Sequence, residues 1–346
     1  MKKTLCLIST ALLALALAVP AAAWIRSPAT TFATLPSDAT PPEGITVDIG
    51  GNVYVSTFGF PASGESHAPG RVVVFDSHGN LLRDFAVSGA SPHLLGLAFN
   101  PVTQDFLVLD FGAGNVLKVD PNTGASSVFS SMGAGSGLNA LTFDAAGNVY
   151  VSDSFQGIIW KIAPAGGAPS AWVTNALLQT TGKPPFGANG LAFNSSGTTL
   201  FVANTGDDSV VQIPVSGGVP GTPTVFAYSI NGADGLALDA SDNVWVVANQ
   251  SDEIVVLDPT GKAIAKLGDF NGIDNQGAAR GLLFPASLVF NGNFVLVTNL
   301  VLDTRLFGFP TLDSEWAAQA TRYTVSKINR SLPRISPSLS APGHGH

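Results

Sequence analysis

Four side chains that carry an oxygen atom stand at matching positions in four similar segments of the sequence. They are Glu43, Asn139, Asn189 and Asp234, and each directly precedes the glycine or alanine that opens an apolar stretch. Two carboxylates and two amide oxygens, without a histidine or cysteine among them, form a donor set that suits a hard divalent cation, with calcium as the first choice. The alternative is that these residues only cap strand ends through hydrogen bonds, as Asn and Asp often do.

The four segments belong to an internal repeat, which indicates a β-propeller. The clearest copies cover residues 43–57, 139–153, 189–204 and 234–249, and weaker copies begin at Leu95 and Ala286. Successive copies start 44 to 52 residues apart, a period that fits a propeller blade of four strands. Each copy has an apolar strand, a tight turn and a β-branched returning strand, and further strands follow. The chain is therefore predicted to be an all-β, six-bladed β-propeller.

The last blade is predicted to be completed by the N-terminal part of the chain. Its third strand falls at residues 323–329, and the sequence after it has no obvious fourth strand. Residues 31–35 resemble the fourth strands of other blades, such as residues 224–227, so we expect them to close the ring. Closure removes a pair of exposed sheet edges, which otherwise promote aggregation. Residues 301–321 form a long insertion between the second and third strands of this blade.

A propeller brings the first strand of every blade to its central channel, so residues at equivalent positions meet at the axis. The four oxygen-bearing side chains are therefore expected to converge, with Leu95 and Ala286 at the other two positions. Buried carboxylates are costly unless they are paired or bound to a cation, and neither Lys nor Arg occupies an equivalent position. At the ends of the second strands, Asp153, Asn204 and Asn249 are predicted to lie on the same face, where they either orient the ligands or begin the next loop.

The first 23 residues have the pattern of a secretory signal peptide. Lys2 and Lys3 precede an apolar run, and Ala21-Ala22-Ala23 provides an A-x-A cleavage site. We therefore expect a periplasmic or secreted protein, with the propeller at residues 24–331 and a disordered tail, rich in Pro, Ser and Gly, at residues 332–346. The only cysteine, Cys6, lies in the signal peptide, which excludes disulfides and thiol chemistry from the mature chain.

The charge of the chain argues against nucleic-acid and membrane partners. Loss of Lys2 and Lys3 changes the formal net charge from −8 to −10, and an acidic surface repels nucleic acid and anionic lipid. No second long apolar stretch follows the first, so we expect no membrane contact after export, and a monomeric protein.

His93 directly precedes the apolar strand of the second copy and is a candidate acid or base near the predicted metal face. The alternative is a loop histidine without a catalytic role.

Three motifs carry a resemblance to known proteins: Pro42-Glu43-Gly44, the NGLAF segment that begins at Asn189 and the DGLALD segment that begins at Asp234. With the repeat, which extends over residues 31–331, they resemble the SMP-30/gluconolactonase/LRE-like family and its six-bladed calcium-dependent relatives, the paraoxonases and diisopropylfluorophosphatase. The resemblance implies that Glu43, Asn139, Asn189 and Asp234 hold a divalent cation. It also implies that Asp234 acts as general base or nucleophile and that the substrate is a small lactone or related ester.

The repeat is also similar to that of NHL propellers, most clearly over residues 43–85. NHL modules commonly bind partners without catalysis. This second resemblance implies the alternative function, a non-catalytic propeller that binds a protein or carbohydrate partner. Bound calcium without hydrolysis of lactones or esters would favour this alternative.

Overall fold

The computed structural model describes residues 26–311 and 313–332. Nearly all the regular structure in these ranges is β-strand, and the sheets form the six blades of a β-propeller, as predicted. The predicted signal peptide, residues 1–23, and residues 333–346 of the predicted tail lie outside these ranges. Among the described helices, none is long and apolar enough to cross a membrane.

Blades one to three are four-stranded antiparallel sheets whose strands follow one another in chain order. Blade one has β2 to β5, at Pro42–Val47, Val53–Thr57, Arg71–Phe75 and Leu81–Ala86. Blade two has β6 to β9, at Leu94–Phe99, Phe106–Asp110, Asn115–Val119 and Ser126–Ser131. Blade three has β10 to β13, at Leu138–Phe143, Val149–Asp153, Ile158–Ile162 and Ser170–Thr174.

Blades four to six follow the same plan with small additions. Blade four has β14 to β18, at Ala188–Phe193, Thr199–Asn204, Ser209–Ser216, Val219–Pro220 and Thr224–Tyr228, of which the two-residue β17 extends one end of β16. Blade five has β19 to β22, at Ala233–Leu238, Val244–Ala248, Glu253–Leu257 and Ala263–Leu267. A separate hairpin follows, with β23 and β24 at Phe270–Ile273 and Ala279–Gly281. Blade six has β25 to β27, at Pro285–Asn291, Phe294–Asn299 and Thr324–Asn329.

The N-terminal strand closes the ring, as the sequence predicts. Strand β1, at Thr30–Thr34, pairs antiparallel with β27 and so becomes the fourth strand of blade six. In the register of this pair, Thr30 faces Lys327 and Thr34 faces Thr324. Because the first and last strands of the propeller share one sheet, backbone hydrogen bonds within that sheet close the ring.

One side-chain arrangement recurs at the turn between the first and second strands of blades one, three and five. An aspartate after the first strand accepts hydrogen bonds from an asparagine four residues on and from a Tyr or Trp ring of the second strand. The donor–acceptor distances are 2.8 to 3.3 Å, and the sets are Asp48–Asn52–Tyr54, Asp144–Asn148–Tyr150 and Asp239–Asn243–Trp245. These bonds fix the turn, and the turn fixes the register of the hairpin.

In four blades the first strand approaches its neighbour so closely that glycine is required after the axial residue, whereas Ala140 and Ser287 stand there in blades three and six. A Cβ atom on Gly190 would lie 2.5 Å from the carbonyl oxygen of Asp234, and one on Gly235 would lie 2.7 Å from that of Ala286. Backbone atoms cannot move away as a flexible side chain would, so only glycine fits. The motif of a polar residue followed by glycine therefore places one side chain at the axis and leaves room for the next blade behind it.

The insertion in blade six folds against the ring. It contains a 3₁₀ helix at Thr304–Phe307 and the short helix α1 at Asp313–Ala317. Ala317 and Ala320 are buried in a cluster that also holds Leu35 and Val325 of the closing blade. Two further 3₁₀ helices lie at Ala176–Leu178 and Asn249–Ser251. The insertion thus packs against blade six and contributes to its hydrophobic core.

Candidate metal centre

The structure brings Glu43, Asn139, Asn189 and Asp234 together at the wall of one cavity in the channel. Each is the second residue of the first strand of its blade, and each side chain is buried. At these positions the pairing between the first and second strands is irregular, with a register shift in all four blades. Such bulges redirect side chains and are frequent beside functional sites. Here they direct four polar side chains towards the axis.

Hydrogen bonds hold two of these side chains in place. The Asn189 amide nitrogen donates to the Thr205 hydroxyl at 2.9 Å, and this hydroxyl donates to the Ala233 carbonyl oxygen at 2.7 Å. One carboxylate oxygen of Asp234, Oδ2, accepts a hydrogen bond from the Asn249 amide nitrogen at 2.9 Å. Because the nitrogen of Asn189 is engaged, its amide oxygen is the atom left for a ligand.

The two carboxylates carry buried oxygens without any hydrogen-bond partner. These atoms are Oε2 of Glu43 and Oδ1 of Asp234. A buried polar atom normally has a partner, and a buried charge costs far more than a neutral group when it has none. Among the ion pairs of the described residues, none includes Glu43 or Asp234. Within the described residues, the protein thus leaves part of the negative charge of these two carboxylates without a hydrogen bond or an ion pair.

The lack of compensation changes the acidity of both carboxyl groups. Burial raises the pKa of Asp234 to about 7, although the hydrogen bond from Asn249 acts in the opposite direction. Burial, together with repulsion from Asp234, raises the pKa of Glu43 well above its ordinary value of 4.5. In the chain alone, both groups therefore keep their protons to a higher pH than ordinary carboxyl groups do.

The donors of the cavity fit a divalent cation that prefers oxygen. Two carboxylates with free oxygens and two amide side chains converge there, and a cation would compensate the charge that the protein leaves unpaired. Within the described ranges, no group of three or more His, Cys, Asp or Glu side chains is placed to hold a metal. The candidate set has only two such side chains and depends on amide oxygens for the rest, which argues against zinc.

The residues at the ends of the second strands take different roles. Asp153 accepts hydrogen bonds from the backbone of Gly137, Phe155 and Gln156, and the side chain of Asn204 donates to backbone oxygens of the loop before β14. Both therefore organise loops. Asn249 differs because it begins a 3₁₀ helix and its amide reaches Asp234. The expectation of ligand-orienting residues thus fits Asn249, and the loop alternative fits the other two.

Asn249→Ala is expected to weaken calcium binding about tenfold, because Asp234 loses the hydrogen bond that leaves its Oδ1 directed at the cavity. The measurement is a calorimetric calcium titration of the folded variant. Asn204→Ala is the matched control, since it removes the same side chain at the end of the second strand of blade four, where the side chain contacts only loop backbone. Equal calcium affinity of the two variants would show that Asn249 has no positioning role.

His93 does not line the cavity. Its Nε2 lies 2.9 Å from Oε1 of Glu65, and its ring stacks on Phe60 with centroids 4.4 Å apart. The ring is also tilted against Phe58, with centroids 5.4 Å apart, and Phe58 does line the cavity. His93 thus contacts a residue that lines the cavity but does not line the cavity itself. The geometry therefore favours the non-catalytic alternative for this histidine.

The apolar part of the cavity is not predicted from the sequence. Besides Leu95, its lining includes Phe58, Phe111, Pro184, Phe186, Phe284, Leu300 and Leu302. A sequence signal exists for three of them, because Phe58, Phe111 and Leu300 directly follow the ends of second strands. Leu302 stands where the insertion of blade six begins, and the length of that insertion is the only indication of its role.

Part of the sequence matches a known protein family. Residues 113–268 match the family model described as the SMP-30/Gluconolactonase/LRE-like region. Among curated proteins, none matches the sequence. The fold is similar to a luciferin-regenerating enzyme, with 13% identity over 88% of this chain and 95% of that one and a TM-score of 0.63.

Two bacterial structures are similar over comparable lengths. A gluconolactonase from Xanthomonas campestris has 15% identity over 87% of this chain and 88% of that one, with a TM-score of 0.60. The calcium-binding protein regucalcin from Agrobacterium tumefaciens has 16% identity over 88% of this chain and 98% of that one, with a TM-score of 0.59. At these identities the likeness shows the fold alone. Together with the match over residues 113–268, it confirms the resemblance of this six-bladed propeller to the SMP-30/gluconolactonase/LRE-like family.

Proposed function

We propose that this chain is a calcium-dependent hydrolase of lactones or related esters. The observation that carries the proposal is the pair of buried carboxylate oxygens, on Glu43 and Asp234, that meet Asn139 and Asn189 in one cavity without a hydrogen-bond partner. The family match and the fold shared with a gluconolactonase and a calcium-binding regucalcin support it. Calcium is favoured over other divalent cations because all available donors are oxygens.

The residues of the cavity divide the work of ester hydrolysis. A divalent cation held by Glu43, Asn139, Asn189 and Asp234 would supply Lewis-acid polarisation of the substrate carbonyl. Asp234 is the proposed general base or nucleophile, because it lines the cavity and Asn249 fixes its orientation. The apolar lining excludes bulk water, which strengthens every electrostatic interaction within the cavity.

Export remains part of the proposal. Cleavage after Ala23 would release the propeller into the periplasm or the medium as a monomer, and N-terminal sequencing of the purified protein tests the cleavage site. Calcium is abundant outside cells, so modest affinity would suffice for occupancy there.

The function is tested with purified protein that has been stripped of metal. We expect elemental analysis to find one calcium for each chain before stripping. We also expect a chelator to remove hydrolysis of a panel of lactones and aryl esters, and added calcium to restore it. Activity that survives the chelator would contradict the proposal. Calcium binding without turnover of any member of the panel would instead support the partner-binding propeller.

A further inference from the structure

The cavity at the axis has a polar half and an apolar half. Blades three, four and five contribute Asn139, Asn189 and Asp234. The opposite side is formed by blades six, one and two, and its buried lining is one apolar cluster. We call this cluster the apolar wall; it consists of Phe58, Leu95, Phe284, Leu300 and Leu302. Glu43 is the one polar axial residue in this half, because blades two and six carry Leu95 and Ala286 at the axial position.

The apolar wall contains two strained backbone positions. Phe284 has a φ of 41° and Val301, between the two leucines of the wall, has a φ of 52°. The left-handed region is unfavourable for aromatic and β-branched residues, and such strain concentrates at binding sites. Hydrogen bonds hold both positions: Phe284 N donates to Asp252 Oδ1 at 2.8 Å and Val301 N donates to the Leu283 oxygen at 3.3 Å. The shape of the apolar wall thus requires two residues in an unfavourable backbone conformation.

Apart from the two carboxylates, the amide oxygen of Asn249 is the one buried polar side-chain atom of the described cavity lining that has no hydrogen-bond partner. The hydroxyl of Thr205 bonds to Asn189 and Ala233, and the amide nitrogen of Asn249 bonds to Asp234. Lys, Arg and His are absent from the cavity lining. A ligand rich in hydroxyl groups would therefore lose its bonds to water on entry and gain few in return.

From this division we infer that the substrate is a lactone or ester with an apolar alkyl or aryl group, which packs on the apolar wall while its carbonyl faces Asn139, Asn189 and Asp234. The inference rests on the proposed function, because it names the substrate of the same site. In the reaction, the oxygen of one water bonds to the carbonyl carbon, the carbon–oxygen bond to the alkoxy oxygen breaks, and a proton passes to the leaving alcohol. The apolar group takes no part in these steps and determines specificity.

Entry of such a substrate requires an opening in the aromatic rim, which we define as Phe111, Phe155 and Phe186. The cavity offers about 40 Å³ to water-sized groups, and a single water needs about 10–15 Å³, so it holds only a few atoms as it stands. The rim rings lie 5.4 to 6.3 Å apart by their centroids and are partly exposed. Movement of the Phe111 and Phe186 rings therefore exposes the wall to the substrate.

The first test compares δ-lactones with increasing alkyl chains against glucono-δ-lactone, which has a similar ring and several hydroxyl groups. We expect kcat/KM to rise roughly fourfold with each methylene until the wall is covered, and glucono-δ-lactone to be the poorest substrate. If glucono-δ-lactone is hydrolysed as well as the long-chain lactones, the inference is wrong and the proposed function stands.

Binding separates failure of the inference from failure of the proposed function. The matching δ-lactams have a ring NH in place of the ring oxygen and resist hydrolysis. We expect calorimetry with the calcium-loaded protein to show affinity that increases with alkyl chain length. If no lactone is hydrolysed but the lactams bind in this order, the proposed function fails and the apolar site remains. If affinity does not increase with chain length, the apolar site is refuted.

Substitutions in the aromatic rim test whether the preference for long alkyl chains arises at this cavity. Phe111→Ser is expected to reduce kcat/KM for a long-chain lactone about tenfold more than for the unsubstituted ring, and to flatten the lactam series in the same way. Phe111→Leu, which keeps an apolar side chain, should preserve the preference for long chains. Phe294→Ser is the control, because it makes the same change at an exposed position on β26, away from the cavity lining. Loss of the preference in the control as well would overturn the assignment.

Discussion

Asp234→Asn is expected to lower kcat on the order of a thousandfold while the propeller remains folded. The substitution keeps the shape of the side chain and removes one of the two charges that a cation would balance. It also removes the carboxylate that is proposed to accept a proton or to attack the substrate. Calcium affinity should fall together with turnover, because the remaining set has a single carboxylate.

The stability of this variant gives an independent measurement. Without calcium, Asp234→Asn should melt at a higher temperature than the unchanged protein at pH 8, because one of two buried, poorly compensated carboxylates has been removed. Glu315→Gln is the control; it removes the same charge from an exposed position in the insertion, where Glu315 pairs only with Arg305. Turnover by Asp234→Asn within a few-fold of the unchanged protein would exclude Asp234 from the reaction.

Much of the site could be predicted from the sequence because it follows the repeat. The residue before each axial glycine falls at the same step of each blade, so Glu43, Asn139, Asn189 and Asp234 had to meet once the chain closed into a ring. Closure itself was visible in residues 31–35, whose match to a fourth strand is borne out by the pairing of β1 with β27. These features depend on local pattern and on symmetry, which a single sequence contains.

The remaining parts of the site depart from the repeat and could not be predicted in this way. Asn249 is the equivalent of Thr205 and not of Asn204, because blade four has one more residue between its first two strands than blade five. The sequence alone, which ends both repeat copies in asparagine, hides this difference. Leu302 lines the cavity beyond Val301, whose left-handed backbone the sequence gives no reason to expect. The donor set thus follows the regular parts of the fold, whereas part of the apolar lining depends on its irregular parts.

The two carboxyl groups also connect calcium binding to the pH dependence of stability. The pKa of Asp234 is about 7 in the folded chain, and its ordinary value is 3.8. Between these values the folded chain holds a proton that the unfolded chain releases, so stability without calcium falls as pH rises from about 4 to 7. The loss is on the order of a few kcal/mol, which lowers the Tm of a domain of about 300 residues by several degrees.

Calcium should reverse this loss, because a cation replaces the proton as the group that compensates the carboxylates. Calcium at a hundred times its Kd adds about 2.7 kcal/mol to the free energy of unfolding, or roughly 4 °C in Tm. The increase should be present at pH 8 and nearly absent at pH 5, where protons compete for the same oxygens. Thermal melts at both pH values, with chelator and with calcium, measure the difference.

Two other buried groups titrate in the same range and have to be separated from the pair. Burial raises the pKa of Asp252 to about 8, with repulsion from Asp313 as the next cause, and burial raises the pKa of Asp313 to about 6. Both therefore also favour folding at low pH, but neither lines the cavity, so calcium should not affect their contribution.

Glu43→Gln and Asp234→Asn should remove the calcium-dependent part of the pH effect and leave the part due to Asp252 and Asp313. A calcium-induced rise in Tm that is the same at pH 5 and pH 8, or that persists in both variants, would show that calcium binds elsewhere.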